Sequence, residues 1–165
     1  MVGVSFGVIK LRAGDQVLDF SLPRKDNKVG VGHKGFDVEI LEVCTPEEAA
    51  QRRYFTWNAM FKDLATGQII DPFGGRDDLA AGIIRHTRPQ FAEAPLRVLR
   101  GMQFAGRFNM IVHPETAGMA FDLMMEFSSL AKERIWGEWE KWAAKSIKPS
   151  AGLRFLVRTD WITLF

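Results

Sequence analysis

The sequence predicts an α+β fold, with strands over residues 1–43 and mainly helices from residue 77 onward. Apolar and small residues alternate over 4–9, which is the two-residue period of a strand. The later region instead has apolar residues at the spacing of helical faces, as over 93–108. The chain has 165 residues, of which 47% are hydrophobic, and this is enough to bury a core.

Charge and cysteine content exclude several classes of protein. The 22 Lys and Arg residues against 20 Asp and Glu give a formal charge of +2, too small by itself to indicate nucleic-acid binding. Cys44 is the single cysteine, which excludes a disulfide framework or a cysteine-based zinc site and fits a reducing cytosol. With no run of 18 apolar residues and no signal-peptide pattern, we expect a cytoplasmic protein without a membrane span.

The N-terminal strands are expected to form a hairpin that is followed by a loop. The turn is predicted at 13–15, with the chain returning as a strand over 17–22. A polar stretch and three closely spaced glycines then predict a mobile loop over 23–35. The strand pattern resumes over 36–43.

The middle of the chain carries local signals for a helix and a turn. Thr45 is a suitable N-cap, with Pro46 at the first helical position and Glu48 three residues after the cap, so a helix is predicted from here to 52–53. A short strand pair is expected over 59–63 and 68–70. The segment 71–75, with Asp and Pro followed by two glycines, predicts a turn.

The C-terminal region is predicted to be helical, with helices over 77–82, 93–108, 115–127, 132–145 and 150–158. Trp136, Trp139 and Trp142 follow one another at three-residue spacing. We interpret them as a packing stripe facing the core. The alternative is a platform on which RNA bases stack.

One helical face in this region is a candidate binding site. At 100° per residue, Glu93, Arg97, Arg100 and Arg107 fall within an arc of about 80°. The commonest explanation for such a pattern is a solvated charged face. The other is a row of guanidiniums facing phosphate or a nucleobase, because arginine offers a rigid fork of donors.

A second cluster lies over 52–58, where Arg52 and Arg53 precede an aromatic stretch and Asn58. The arginines could hold a triphosphate while Asn58 bonds a sugar. The alternative is a helix C-terminus, which favours cations, followed by a core-facing strand.

Carboxylates on predicted strands are candidate metal ligands. Asp19 lies between Leu18 and Phe20 and could bind Mg²⁺, although a lone strand aspartate is more often a surface residue. Asp37 and Glu39 share one face of a strand. We interpret these two as surface charges of an edge strand and not as metal ligands.

Several ordered motifs carry a resemblance over nearly the whole chain. They lie at 19–24, 52–59, 70–75 with 78–79, 85–86, 91–100, 104–108 and 148–155. Taken together, these segments resemble the bacterial tRNA nucleotidyltransferase (CCA-adding) and poly(A) polymerase head family. The resemblance implies transfer of nucleotides from CTP and ATP to the 3′ end of tRNA, with Mg²⁺ held by three strand carboxylates.

The resemblance also implies roles for individual residues. Asp19 matches one of the catalytic, metal-binding carboxylates. The nucleotide-binding residues are matched by Arg53, Asn58, Glu93, Arg97 and Arg100, of which Arg97 would hydrogen-bond the base edge. A flexible linker is matched by Asp71, Gly74, Gly75 and Asp78. The implied architecture is a truncated nucleotidyltransferase palm sheet, the remnant of a head domain over 1–75, followed by an all-helical neck that binds RNA and nucleotide over 76–165.

The sequence departs from the family pattern in three ways. The Gly-Gly segment and Asp-x-Asp strand are absent from the sequence, Tyr54 stands in place of an aspartate, and Ala94 replaces the aspartate that selects the base together with Arg97. We therefore expect the isolated chain to be inactive, as a truncated product, a decayed copy or half of a split enzyme that needs an upstream chain. The alternatives are a non-catalytic RNA- or nucleotide-binding remnant and a structural remnant without a ligand. Addition of CCA, CC, A or a poly(A) tail all fit the resemblance.

Overall fold

The computed structural model describes residues 8–21, 24–28, 36–40, 44–51, 53–87 and 89–165. Within these ranges short strand pairs are combined with helices, most of which lie in the second half of the chain, so the α+β prediction is confirmed. The strands pair two by two: β1 Val8–Ala13 with β2 Gln16–Ser21, β3 Arg24–Lys28 with β4 Phe36–Ile40, β5 Phe61–Lys62 with β6 Ile69–Ile70, and β7 Ile83–Ile84 with β8 Ile111–Val112. The helices are α1 Pro46–Gln51, α2 Gly75–Ala81, α3 Leu96–Phe108, α4 Pro114–Asp122, α5 Lys132–Lys145 and α6 Pro149–Arg158.

The hairpin of β1 and β2 turns where the sequence predicts it. Gly14 has φ +62°, a left-handed conformation that glycine adopts without a steric penalty. The antiparallel register places Ile9 opposite Phe20 and Leu11 opposite Leu18. Side chains from residue 9 to residue 21 are all exposed, so the hairpin contributes nothing to the buried core.

The predicted loop over 23–35 is wrong at residues 24–28. These five polar residues form β3, which pairs antiparallel with β4. Polar composition gives little strand propensity, but pairing with a partner strand satisfies the backbone regardless of composition. The rest of that loop, and the predicted strand residues 4–7 and 41–43, lie outside the described residues.

The predicted capping box at the start of α1 is confirmed. The Glu48 backbone N–H donates to Thr45 Oγ1 over 3.2 Å, and the Thr45 N–H donates to Glu48 Oε2 over 2.8 Å. The predicted strand pair is also present, as β5 and β6. Its expected first residue instead ends a short 3₁₀ helix, Trp57–Ala59.

The predicted helices are present, with differences at their ends. The α5 bounds agree with the prediction, whereas α3 starts after a separate 3₁₀ turn, Pro89–Glu93, and α4 is followed by another, Leu123–Ser129. A last 3₁₀ turn covers Trp161–Leu164. The parallel pair of β7 and β8 was not predicted. None of the described helices is long and apolar enough to cross a membrane.

The core is centred on α3, which packs against α5 and α6. Its buried side chains include Phe55, Phe91, Val98, Leu99, Met102, Phe155, Leu156 and Trp161. Glycines allow α3 and α6 to approach each other closely. A Cβ on Gly101 of α3 would meet the Phe155 ring, and a Cβ on Gly152 of α6 would lie 2.8 Å from the Met102 carbonyl oxygen. The helix that carries the arginine row is therefore held tightly by its neighbours.

The tryptophan stripe is only partly buried. Trp139 and Trp142 pack edge to face, with ring centroids 5.4 Å apart, against the core. Trp136 is 65% exposed, so the prediction that it faces the core is wrong. Residues six apart on a helix differ by about 120° in direction, which carries the first indole away from the buried side.

Candidate functional site

Two arginines of α3 lie over one tyrosine ring. The guanidinium carbons of Arg97 and Arg100 are 5.8 and 5.5 Å from the centroid of the Tyr54 ring. Arg100 Nη1 also donates a hydrogen bond to the Tyr54 hydroxyl over 2.8 Å. Such contacts are attractive because the ring face carries negative charge. Arg97 and Arg100, both predicted as site residues, therefore contact the same side chain, Tyr54. The sequence identified Tyr54 only as a departure from the family pattern.

Carboxylates flank this cluster on both sides. Glu93 Oε2 lies 3.9 Å from Arg97 Nη1, although Glu93 ends the 3₁₀ turn before α3 and does not lie on the helix predicted over 93–108. Glu138 Oε1, on α5, lies 3.6 Å from Arg100 Nε and 2.8 Å from Lys141 Nζ. Burial lowers the pKa of Arg100, but Tyr54 and Glu138 more than offset this and leave that pKa above its ordinary value. The arginine is therefore cationic at any physiological pH.

The arginine face is not uniformly solvated. The Arg97 side chain is 16% exposed, whereas Arg107, nearly three turns further along α3, is exposed and lies over the Phe108 ring at 5.0 Å. The general expectation of a solvated charged face therefore holds for Arg107 but not for Arg97. Arg97 therefore packs within the protein, whereas Arg107 faces water.

The cluster over 52–58 contains Tyr54. The Arg53 residue is exposed, and its carbonyl oxygen accepts a hydrogen bond from Thr87 Oγ1 over 2.7 Å. Asn58 Oδ1 accepts from the Phe55 N–H over 3.2 Å, which closes the turn next to the tyrosine. Arg52 lies outside the described residues.

Asp19 lies on the exposed hairpin. Its Oδ1 is 3.9 Å from Lys10 Nζ, and both side chains are about 60% exposed. Among the residues that the structure describes, no group of three or more His, Cys, Asp or Glu side chains could hold a metal ion. Mg²⁺ requires an octahedral set of oxygen ligands, to which Asp19 supplies one carboxylate. The described residues therefore do not fit the Mg²⁺ site that the resemblance implies, and the side chains of Asp37 and Glu39 are outside them.

The predicted linker begins with a hydrogen-bonded turn. Asp71 accepts from the backbone N–H groups of Gly75 and Arg76 over 2.7 and 2.9 Å. Partial burial raises the pKa of Asp71, but these N–H groups outweigh it and hold that pKa below its usual range. Gly74 has φ +70°, which suits a glycine at this turn. The first turn of α2 is thereby capped.

Asp78, further along the predicted linker, belongs to a buried polar network. Its Oδ2 accepts from Thr56 Oγ1 over 2.7 Å and from Arg85 Nε over 3.0 Å. Arg85 Nη1 lies 2.8 Å from His113 Nε2. The network joins α2 to the strand pair of β7 and β8. Flexibility of this segment stays a prediction, as does the domain boundary after residue 75.

Glu138 is a site residue that the sequence argument missed. It lies three residues after Ile135 and four before Trp142, both of which pack against the core. A carboxylate at a buried helical position usually has a cationic partner, because leaving it unpaired is costly. That signal was present in the sequence, although it does not identify the partner.

Comparison with known families identifies the fold. Residues 1–85 match the family model described as the poly(A) polymerase head domain. The chain belongs to this family. One relative is the Multifunctional CCA protein of Nitrosococcus oceani, which is 45% identical over 125 residues. The match covers 74% of this chain and 30% of the relative. The protein of that name from Xanthomonas oryzae pv. oryzae is 39% identical over 165 residues, covering 96% and 39%.

Solved structures support the same family assignment for the head-domain chain. A tRNA-processing enzyme with CTP matches with a TM-score of 0.78 and 25% identity, covering 98% of the chain and 41% of that structure. The Bacillus stearothermophilus CCA-adding enzyme in complex with CTP gives 0.78 and 26%, covering 94% and 37%. The Thermotoga maritima CCA-adding enzyme complexed with tRNA gives 0.62 and 30%, covering 70% and 30%. The chain thus spans between 30 and 39% of the length of the two curated relatives named above.

Proposed function

We propose that this chain binds the incoming CTP or ATP at the group formed by Tyr54, Arg97 and Arg100, called the Tyr54 cluster below, and acts in nucleotidyl transfer to the 3′ end of tRNA. The observation that carries the proposal is the pair of guanidiniums, Arg97 and Arg100, held over one ring. The resemblance assigns nucleotide contacts to both positions. Relatives named as CCA proteins, and similar structures containing CTP or tRNA, support the same activity.

The chemistry of the cluster suits a nucleoside triphosphate. Guanidinium forks bind phosphate oxygens and base edges in planar, paired contacts. In the proposal, Arg97 meets the base edge with Glu93 beside it, and Arg53 and Asn58 contact the sugar and phosphates. Phosphoryl transfer depends mainly on positioning and charge neutralisation, which fixed cations supply.

The role proposed for Asp19 is that of one catalytic carboxylate. In the proposal, the other carboxylates come from the Gly-Gly and Asp-x-Asp segment that the resemblance implies, supplied by an upstream chain. Mg²⁺ belongs to the proposal only in that larger assembly. The flexible linker of Asp71, Gly74, Gly75 and Asp78 likewise remains part of the proposal.

A second candidate function is binding of RNA or nucleotide without catalysis. The exposure of Asp19, and its pairing with Lys10, favour this alternative. It predicts tRNA binding that weakens steeply as salt rises, because each phosphate contact releases counterions. It also predicts no incorporation of nucleotide when head segments are supplied.

Nucleotide binding is tested first, by calorimetric titration of CTP into the 165-residue chain. Arg97→Gln is expected to lower the affinity about tenfold, the loss typical of a charge-assisted hydrogen bond. Arg107→Gln is the matched control, on the same helix but exposed, and should change affinity by less than about twofold. No CTP binding by the wild-type chain would refute the proposal.

Catalysis is tested separately, with labelled CTP and ATP, Mg²⁺ and tRNA lacking its 3′ end. We expect no incorporation by the chain alone and incorporation once the Gly-Gly and Asp-x-Asp segment is added. Asp19→Ala should abolish it. Transfer by the chain alone that Asp19→Ala abolishes would mean that other carboxylates of this sequence complete the site. Lack of transfer in every mixture, with CTP still bound, would favour the non-catalytic alternative.

A further inference from the structure

Glu138 is a residue of α5 whose carboxylate is buried against α3. The proposed function gives it no role. Its side chain is 4% exposed, and its Oε1 faces both Lys141 and Arg100. A buried carboxylate is tolerated when cations compensate the loss of hydration. Helix α5 thus attracts the Arg100 guanidinium of α3 through Glu138, while the charge of Arg134, on the same helix, repels it.

Arg100 is held at two different edges of its guanidinium. The Tyr54 hydroxyl accepts from Nη1, and Glu138 faces Nε. Contacts at two edges fix the orientation of the plane as well as its position. The group carries five N–H donors, and these contacts use only part of them. The remaining donors can therefore meet a ligand without further ordering of the side chain.

We infer that Glu138 is a positioning residue for the nucleotide site and that, with Tyr54, it fixes Arg100 before the nucleotide binds. The inference rests on the proposed function, because it assigns the remaining Arg100 donors to phosphate oxygens of CTP or ATP. A flexible side chain that must be ordered on binding reduces affinity. In this inference the Glu138 carboxylate of α5 raises the affinity for nucleotide by positioning Arg100, although its own negative charge repels phosphate.

Charge and positioning predict opposite results for Glu138→Gln. The substitution keeps the shape of the side chain and removes one negative charge. Coulomb attraction alone would then strengthen binding of a triphosphate. Loss of positioning weakens it, by about fivefold for one side chain that must be reordered. The sign of the change therefore separates a positioning role from a simple electrostatic one.

The experiment is calorimetric titration of CTP into the full chain and its variants. Glu138→Gln should weaken binding about fivefold, whereas Lys141→Gln, which breaks the 2.8 Å ion pair of the same carboxylate, should change it by less than about twofold. Tyr54→Phe keeps the ring but removes the hydroxyl, and should also weaken binding. It carries the test if Glu138→Gln does not fold. In an Arg100→Gln background, Glu138→Gln should cause no further loss, because both substitutions act through one guanidinium.

The outcomes are distinguishable. If Glu138→Gln binds CTP as tightly as the wild type or more tightly while Arg100→Gln binds weakly, the positioning role is wrong and the proposed function stands. Equal losses from Glu138→Gln with and without Arg100 would also overturn the inference, because they would indicate a general effect on the fold. No binding by the wild-type chain overturns the proposed function and the inference with it.

Discussion

Gly152 on α6 faces the backbone of α3, and replacing it with alanine tests how tightly the arginine-bearing helix is held. The added Cβ would lie 2.8 Å from the Met102 carbonyl oxygen and closer still to the Trp142 indole. A backbone carbonyl within a packed helix cannot rotate away, so the two helices must separate. Overpacking of this kind costs about 1–3 kcal/mol.

The helix propensity of alanine acts in the opposite direction, by about 1 kcal/mol. We therefore expect Gly152→Ala to reduce the free energy of unfolding by up to about 2 kcal/mol. For a chain of this size that corresponds to a fall in Tm of up to roughly 8 °C. Thermal unfolding followed by circular dichroism at 222 nm, where α-helices give a strong negative band, measures the change.

Gly137 on α5 is the matched control, because a Cβ there would meet nothing within 4 Å. Gly137→Ala should raise the free energy of unfolding by up to about 1 kcal/mol through propensity alone. A Gly152→Ala variant with a Tm above that of the wild type, by as much as Gly137→Ala gives, would refute the close packing of α6 on α3. Opposite signs for the two substitutions would support it.

Three further predictions concern other parts of the chain. Asp78→Asn should lower the free energy of unfolding by about 1–3 kcal/mol in urea titrations, because it leaves the Arg85 guanidinium without its partly buried counter-charge; the exposed neighbour Asp77→Asn should be nearly neutral. Burial lowers the pKa of His86 from 6.5, so the unfolded state takes up the proton first and stability falls as pH drops below about 6.5. Urea titrations at several pH values should show this fall, and His86→Gln should reduce it. Thr45→Ala should cost about 1 kcal/mol by removing the cap of α1; an unchanged urea midpoint would contradict it.

Local signals in the sequence were sufficient for several elements. The capping box at Thr45 and the turn at Gly14 each depend on residues within a few positions of one another, and both were predicted. The bounds of α5 likewise follow from its own pattern. Proline placement predicted the start of α6 to within one residue.

Elements formed by distant segments were not predictable in this way. The pair of β7 and β8 joins two-residue strands that are 28 positions apart, too short for any periodicity. The strand character of residues 24–28 comes from their partner and not from their composition. Site residues show the same division: Glu93 and Arg97 were placed together from helical spacing, whereas the contact of Arg100 with Tyr54 spans 46 positions and appears only in the folded chain.

The exposed hairpin of β1 and β2 has a consequence for local stability. Because its side chains bury nothing, the hairpin can open without exposing the core, and an isolated two-stranded hairpin is at best marginally stable. A protease should therefore cut there long before the helices unfold. Tyr54, Arg97 and Arg100 all follow this hairpin in the chain, so a cut after Asp19 would separate that carboxylate from the arginines and leave their arrangement intact.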